Sequence, residues 1–494
     1  MIGAIGSIVA LALTLQAPSD APSAPAPPPV VEPLAPEPPM PEPAPEPLAP
    51  AAPEPGDAAK PPACGTPGEA PDPRCNETLD GRAPPSPSPA RQAGQAALVA
   101  PRAAVRLVFL PVVEATEAAE RHHVFPWLHA ITTSDDGKVG VRPEIQYATG
   151  FTPSVGGRVF YRRLPDPTSE VVASFRAGST EVMHGELSLR GPRWLGLTVG
   201  GLWDRRDDRL FAGIGNPAPG APQPVESRYR GDIYRVEALW LTPGDSPLKL
   251  TLRAGFEDRA YGTNNVRGGP SIAVAYGAPP ASCAARGLLY PCTDPVLVPE
   301  FNVDRRLLYE RARLGLDLRP SGRDHSGVEL GLEGSVSYGV AGDPSRHARL
   351  GFDGVGAIGG GDRVLLLRYI AAVVEPLGAA PIPFDEFISP CGALGMRGLR
   401  DGTLRDRSGM VGTAEYRWLI SSGIDASLFL DEGAVAGPWF EGLDVGHFHT
   451  TIGAGLRFYR QDRARYWEDP TRQGLQVAWA PGREIRLLLT AALF

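Results

Sequence analysis

Few residues in this 494-residue chain are typed and spaced for chemistry. A serine hydrolase would show a Gly-x-Ser-x-Gly elbow and a zinc protease a His-Glu-x-x-His helix, and neither occurs. His447 and His449 stand two apart, on one face of a strand, a weak metal spacing with no third ligand beside it. His122-His123 is weaker still. Gly213-Ile214-Gly215-Asn216-Pro217-Ala218 spells a dinucleotide fingerprint, which functions only between a strand and a helix. Here Asp204-Arg205-Arg206-Asp207-Asp208-Arg209 reads as a charged loop before it, and Pro217 and Pro219 oppose a helix after it. Neither metal nor cofactor is therefore expected. Among the five cysteines, Cys283 and Cys292 are spaced either to close a small disulfide loop in an oxidising compartment or to remain two thiols. Cys64 with Cys75 is a second such pair, and no spacing resembles a zinc site. A net charge of -8 argues against a nucleic-acid partner.

The elements that would carry these residues are strands. From Lys138 onward no apolar run approaches the ~20 residues of a membrane helix, yet the segments between turns are rich in large apolar side chains. Leu248, Leu250, Leu252, Ala254 and Phe256 alternate with Lys249, Thr251, Arg253, Gly255 and Glu257. Ala312, Leu314, Leu316 and Leu318 alternate in the same way with Arg311, Arg313, Asp317 and Arg319. A strand sends such sets to opposite faces, one oily and one ionic. In lipid every backbone N–H and C=O needs an internal partner, and a closed antiparallel sheet provides one.

The pattern predicts strands near 138–147, 153–163, 169–177, 182–191, 194–204, 228–241, 247–258, 305–318, 327–339, 345–358, 363–375, 409–420, 423–436, 447–460, 473–480 and 483–494. The fold class is all-β: a 16-stranded antiparallel transmembrane barrel behind a disordered Pro-rich segment, in a bacterial outer membrane. Turn chemistry at Pro165 to Pro167, Gly244-Asp245, Gly359 to Gly361 and Pro481-Gly482 supports the boundaries. If the first strand runs outward, the long connections 205–227, 259–304 and 376–408 all fall outside. Trp194, Trp203, Trp240, Trp418 and Trp479 then lie near strand ends, as girdle aromatics.

Ahead of the barrel (136–494) the composition changes. Residues 1–17 hold an apolar run, Ile2 to Leu15, of secretory-signal length. Residues 18–102 are dominated by Pro, Ala and Glu and read as a disordered linker. Residues 103–135 read as a short helix kinked at Pro111, at the periplasmic mouth or on the membrane surface, or as an irregular lead-in.

Two connections carry a more specific pattern: Leu210-Phe211-Ala212-Gly213-Ile214-Gly215-Asn216, and Pro381 to Arg407, PIPFDEFISPCGALGMRGLRDGTLRDR. Both resemble the superfamily of BamA, TamA and the two-partner secretion pores, also described as the bacterial surface antigen barrels, over roughly residues 135 to 494. The family motif of the first connection corresponds to Phe211, Gly213, Gly215 and Asn216. The resemblance implies that the second connection, loop six, folds back into the lumen and that the arginine at its tip, Arg397 followed by Gly398, pairs with Glu415 and Asp431. Alternation also turns Glu415, Arg417, Phe429 and Asp431 inward, because Ala414, Tyr416, Trp418, Leu428 and Leu430 face lipid. Leu399 departs from the family pattern, which has an aromatic there. The terminal Phe494 resembles the signal by which outer-membrane barrels are recognised for their own insertion.

Family members of the assembly type carry POTRA domains before the barrel, and no such βααββ pattern lies between Ala17 and Lys138. The expected function is non-enzymatic: aiding insertion or translocation of outer-membrane polypeptides or lipids. The alternatives are a passive or structural barrel and an outer-membrane hydrolase. Expected partners are outer-membrane lipid and lipopolysaccharide, the barrel-assembly machinery during insertion, and unfolded outer-membrane polypeptides.

Overall fold

The computed structural model describes residues 89, 93, 96 and 99–492, except 123, 165, 220–223, 245, 264, 265, 319–325, 361, 362, 394, 422, 423 and 459–473. The chain divides into two units, Met1–Pro84 and Pro85–Phe494, and every described residue belongs to the second. The expected signal segment, most of the linker, Cys64, Cys75 and Phe494 lie outside the described residues.

Helices α1 (Val99–Arg121) and α2 (Val124–Thr132) lead into the sheet. Its strands are β1 (Val139–Ala148), β2 (Ser154–Arg162), β3 (Glu170–Ser179), β4 (Val182–Arg190), β5 (Leu197–Phe211) and β6 (Ser227–Leu241). They continue as β7 (Leu248–Gly262), β8 (Arg305–Asp317), β9 (Gly327–Gly339), β10 (Arg346–Gly360) and β11 (Arg363–Pro376). The last five are β12 (Ser408–Ser421), β13 (Ile424–Ala436), β14 (His449–Phe458), β15 (Gly474–Trp479) and β16 (Arg486–Ala492). Each strand pairs antiparallel with its sequence neighbours, and β1 pairs with β16 from Glu144↔Ala492 to Ala148↔Leu488, so the sheet closes.

Closure leaves no unpaired sheet edge, and alternation decides what each surface meets. Val155, Val236, Leu332 and Ile358 point outward and are 52 to 67 % exposed, a belt suited to hydrocarbon. The inward positions are tied by cross-strand ion pairs: Arg158 Nε to Glu144 Oε1 at 2.7 Å, Arg235 Nη2 to Glu257 Oε1 at 3.2 Å, and Arg313 Nη2 to Asp353 Oδ2 at 2.7 Å. An oily outside and an ionic inside on one closed sheet is the architecture of an outer-membrane barrel. No described helix is long and apolar enough to cross a membrane. The long connections, now 212–226, 263–304 and 377–407, emerge at one end of the barrel.

Three expectations change. Asp204 to Arg209 are strand, not loop: β5 runs on to Phe211 through a bulge between Arg206 and Arg209. These charges find partners within the sheet, His184 Nδ1 with Asp204 Oδ1 at 3.1 Å and Arg205 Nε with Asp232 Oδ1 at 2.6 Å, so the ladder continues above the lipid belt. Trp203 consequently sits within β5, stacked on Tyr234, and not at a strand end. Finally, α1 begins at Val99, inside the expected linker, and contains Pro111.

Leu332 lies at the middle of the outward face of β9. Leu332→Arg should lower barrel stability by about 2–4 kcal/mol, read by denaturant unfolding in vesicles. A change within error would remove Leu332 from the lipid belt.

Candidate functional site

Loop six, residues 377–407, links β11 to β12 and is held at three places, two on the wall and one on neighbouring connections. At its tip Arg397 is 5 % exposed, and Asp431 on β13 is fully buried. The guanidinium grips Asp431 with two prongs, Nη2 to Oδ1 at 2.7 Å and Nε to Oδ2 at 3.0 Å, and reaches Glu415 Oε2 on β12 with Nη1 at 2.8 Å. Its backbone N–H also donates to Asp431 Oδ2 at 3.1 Å. The Phe429 ring lies against the guanidinium, 3.3 Å from carbon to ring centroid. Thr413 and Thr451 donate to the two oxygens of Asp431 at 3.0 and 3.1 Å, and Arg417 Nε donates to Glu415 Oε1 at 2.6 Å. Two arginines thus face two carboxylates, and the hydrogen bonds around them hold the set where water is scarce.

The strands supply this geometry through register. Glu415 lies opposite Phe429, and Thr413 opposite Asp431, which in turn lies opposite Thr451 on β14. Cross-strand neighbours share a face, so one short patch of wall presents acid, ring and hydroxyl together. Gly398 is needed for the approach: a methyl there would stand 2.8 Å from Thr451 Cβ and 3.0 Å from the Trp479 carbonyl carbon. On β16, Arg486 donates from Nη1 to the Arg397 carbonyl at 3.0 Å and also reaches the Leu399 carbonyl. Leu399, where the family pattern has an aromatic, is buried with Met396, Cys391 and Leu404 against Val411, Val435 and Ala480. An aliphatic cluster seats the tip in place of a ring.

The second anchor was not singled out in the sequence. Asp385 and Glu386 project from loop six to the opposite wall, where Arg259 of β7 pairs with both. Arg305 of β8 adds Nη1 to Asp385 Oδ1 at 3.2 Å, and His347 Nε2 of β10 lies 3.2 Å from Glu386 Oε2. Burial opposes ionisation of both carboxyls, but the guanidinium of Arg259 outweighs it and holds each below its usual range. Beside them Phe384 is buried among Phe211, Tyr229, Phe301 and Tyr261, with ring centroids 5.0 to 5.8 Å apart. The sequence signal was present as two adjacent acids within the otherwise apolar Pro381 to Ile388.

The third anchor is Arg400, whose Nη1 meets Glu226 Oε2 at 2.6 Å and which also pairs with Glu484 in the β15–β16 turn. The connection after β5 is drawn in as well. Gly215 donates its N–H to the Arg405 carbonyl at 2.8 Å, and both Gly213 and Gly215 have positive φ. Asn216 Nδ2 donates to the carbonyls of Val435 and His447, and His449 Nε2 lies 3.1 Å from Asn216 Oδ1. This corrects the reading of the two histidines: His447 belongs to a short helical turn before β14, so the pair does not share a strand face. A strand does precede Gly213, contrary to expectation, but residues 216–218 are irregular and no helix opens there. Among the described residues no group of three or more His, Cys, Asp or Glu is placed to hold a metal. Cys283 and Cys292 are disulfide-bonded, with Cα atoms 5.9 Å apart, within the connection 263–304.

No protein-family model matches the sequence, and no curated protein matches it. Solved structures of similar fold include BamA from Haemophilus ducreyi lacking POTRA domains 1-3, at 12 % identity over 72 % of this chain and 70 % of that one, with a TM-score of 0.47. CdiB from Acinetobacter baumannii is similar at 12 % identity over 72 % of this chain and 60 % of its own, TM-score 0.41. Wzi from Escherichia coli is similar at 8 % identity over 75 % and 86 %, TM-score 0.30. At such identities and scores these likenesses assign the chain neither a family nor an activity.

Removing the Arg397 side chain leaves two buried carboxylates short of their partner, a loss of about 3–5 kcal/mol of local stability. Cys391 reports it. Burial pushes that thiol up to about 12, so it carries almost no thiolate at neutral pH. With Cys64 and Cys75 replaced by serine, Cys391 should resist maleimide in the native barrel and react at least tenfold faster in Arg397→Ala and Gly398→Val. Equal rates in all three proteins would mean that the tip is not held by these residues.

Proposed function

We propose that this protein is an outer-membrane barrel whose lumen is closed by loop six, and that it aids insertion or translocation of outer-membrane polypeptides or lipids without catalysing a covalent reaction. The observation that carries this reading is the grip of Arg397 on Asp431 and Glu415, which joins a long connection to the inner wall. A passive pore has no use for a loop tied across its lumen by two wall anchors and held to neighbouring connections by a third. Loop six acts here as a latch: intact, it blocks ion flow; released, it frees the lumen and the neighbouring strands. With the long connections taken as extracellular, β1 runs outward and α2, which leads into it, lies at the periplasmic end. The partners in this reading are outer-membrane lipid and lipopolysaccharide around the belt, the assembly machinery during the barrel's own insertion, and unfolded outer-membrane polypeptides as clients.

Planar-bilayer recording tests the latch. The native barrel should conduct rarely and in brief steps, whereas Arg397→Ala should open at least several-fold more often. A steady, large conductance in the native barrel would instead support the passive pore. The assembly activity is tested separately, by folding a urea-denatured outer-membrane polypeptide into vesicles with and without this barrel; an unchanged folding rate would overturn it.

A further inference from the structure

The outer wall of β12 to β15 differs from the rest of the lipid-facing belt. Ala426 and Leu456 are opposite each other and point outward, yet both are fully buried. Phe109 of α1 packs on them, together with Trp418, Leu428, Ala454 and Val477. Two turns earlier Arg102 donates to the Tyr416 hydroxyl, and its guanidinium lies 5.2 Å from the Tyr416 ring centroid and 5.8 Å from that of Trp418. Because Glu415 and Arg417 face the lumen, Tyr416 and Trp418 face out, and so does the helix laid over them. The helix expected at the periplasmic mouth or on the membrane surface therefore lies on the outer wall, in the zone a bilayer occupies. On its other side Leu107 is 72 % exposed, as suits a helix with hydrocarbon around it.

Helix and wall do not meet along their whole length. Between them is a groove of about 650 Å³, flanked by Ala104 and Phe109 on the helix and by Tyr416, Leu428, Ile452 and Val477 on the wall. Its volume is that of a small-molecule site. Its lining is almost wholly apolar, and small residues, Ala104 and Ala454, form the recess between larger ones.

We propose that this groove binds one acyl chain of a bilayer phospholipid. The occupant follows from where the groove lies: it opens sideways onto the lipid-facing wall, so a chain enters from the bilayer while its headgroup stays at the interface. Hydrocarbon already surrounds the chain, so the selectivity comes from packing against a preformed surface and not from escape from water. Arg102 sets a guanidinium at the groove's edge beside the lipid-facing Tyr416 and Trp418, a position suited to a lipid phosphate. The bound chain would fill the space between α1 and the barrel and hold the helix on the wall. The inference rests on the barrel's residence in a bilayer and not on the latch, so the conductance experiment leaves it untouched.

The test is native mass spectrometry of the full chain, reconstituted with phosphatidylethanolamine and phosphatidylglycerol and released into mild detergent. One phospholipid per barrel should survive release. Two variants fill the groove from opposite sides: Ala454→Trp from the wall and Ala104→Trp from the helix, the second leaving strand pairing untouched. Both should lower phospholipid occupancy about tenfold while the heat-induced gel shift of the folded barrel is kept. The proposal is overturned if the native barrel retains no phospholipid, if Ala104→Trp retains as much as the native barrel, or if added oleic acid displaces the phospholipid at equal concentration.

Discussion

A backbone amide in hydrocarbon has no water to bond, and most features of this protein follow from that fact. Sixteen strands satisfy the need only if the first meets the last, which they do between Glu144–Ala148 and Leu488–Ala492. Closure creates an interior, and strand alternation sends half of all side chains into it. Because the outer half must be apolar, the charges of the chain concentrate on the inner half, where Arg158 and Arg235 find carboxylates on the adjacent strand and Arg313 finds one two strands away. The ionic lumen is thus the complement of the oily belt.

Loop six uses the same chemistry. A guanidinium brought inside a barrel must meet acids there, and Arg397 meets two, on adjacent strands whose register also supplies Thr413 and Thr451. The far anchor reverses the polarity: the loop offers Asp385 and Glu386 and the wall offers Arg259 and Arg305. A loop carrying cations at one point and anions at another can be seated in only one orientation, since the reverse would place like charges together. Beside the anchors, burial of Met396, Leu399 and Phe384 adds packing that charge alone would not specify.

The strands were legible because period-two alternation is strong wherever one face meets lipid. The expected boundaries at 305–318, 327–339 and 363–375 lie within a residue of β8, β9 and β11. Legibility failed above the belt, where lipid no longer enforces an apolar face: the run Asp204 to Arg209 reads as a loop although cross-strand ion pairs keep it in the sheet. Inward facing of Glu415 and Asp431 was readable from alternation, whereas their convergence on Arg397 came through the family resemblance. Asp385 was missed because its partners, Arg259 and Arg305, lie on strands more than a hundred and about eighty residues away, and no local period links them. The position of α1 on the outer wall was equally hidden, since a helix with apolar residues looks the same in sequence whether it packs on a barrel or floats on a bilayer.

The claim on which the account stands is that β1 and β16 are neighbours. Tyr147 and Leu489 face each other across that junction, and no other pairing of the termini brings them together. Cysteines placed at both positions, in a chain whose native cysteines are replaced by serine, should form an oxidant-induced cross-link in membranes that compacts the unfolded chain on a gel. Absence of that link, while a control pair at Val141 and Val159 across β1 and β2 still cross-links, would contradict the closed barrel.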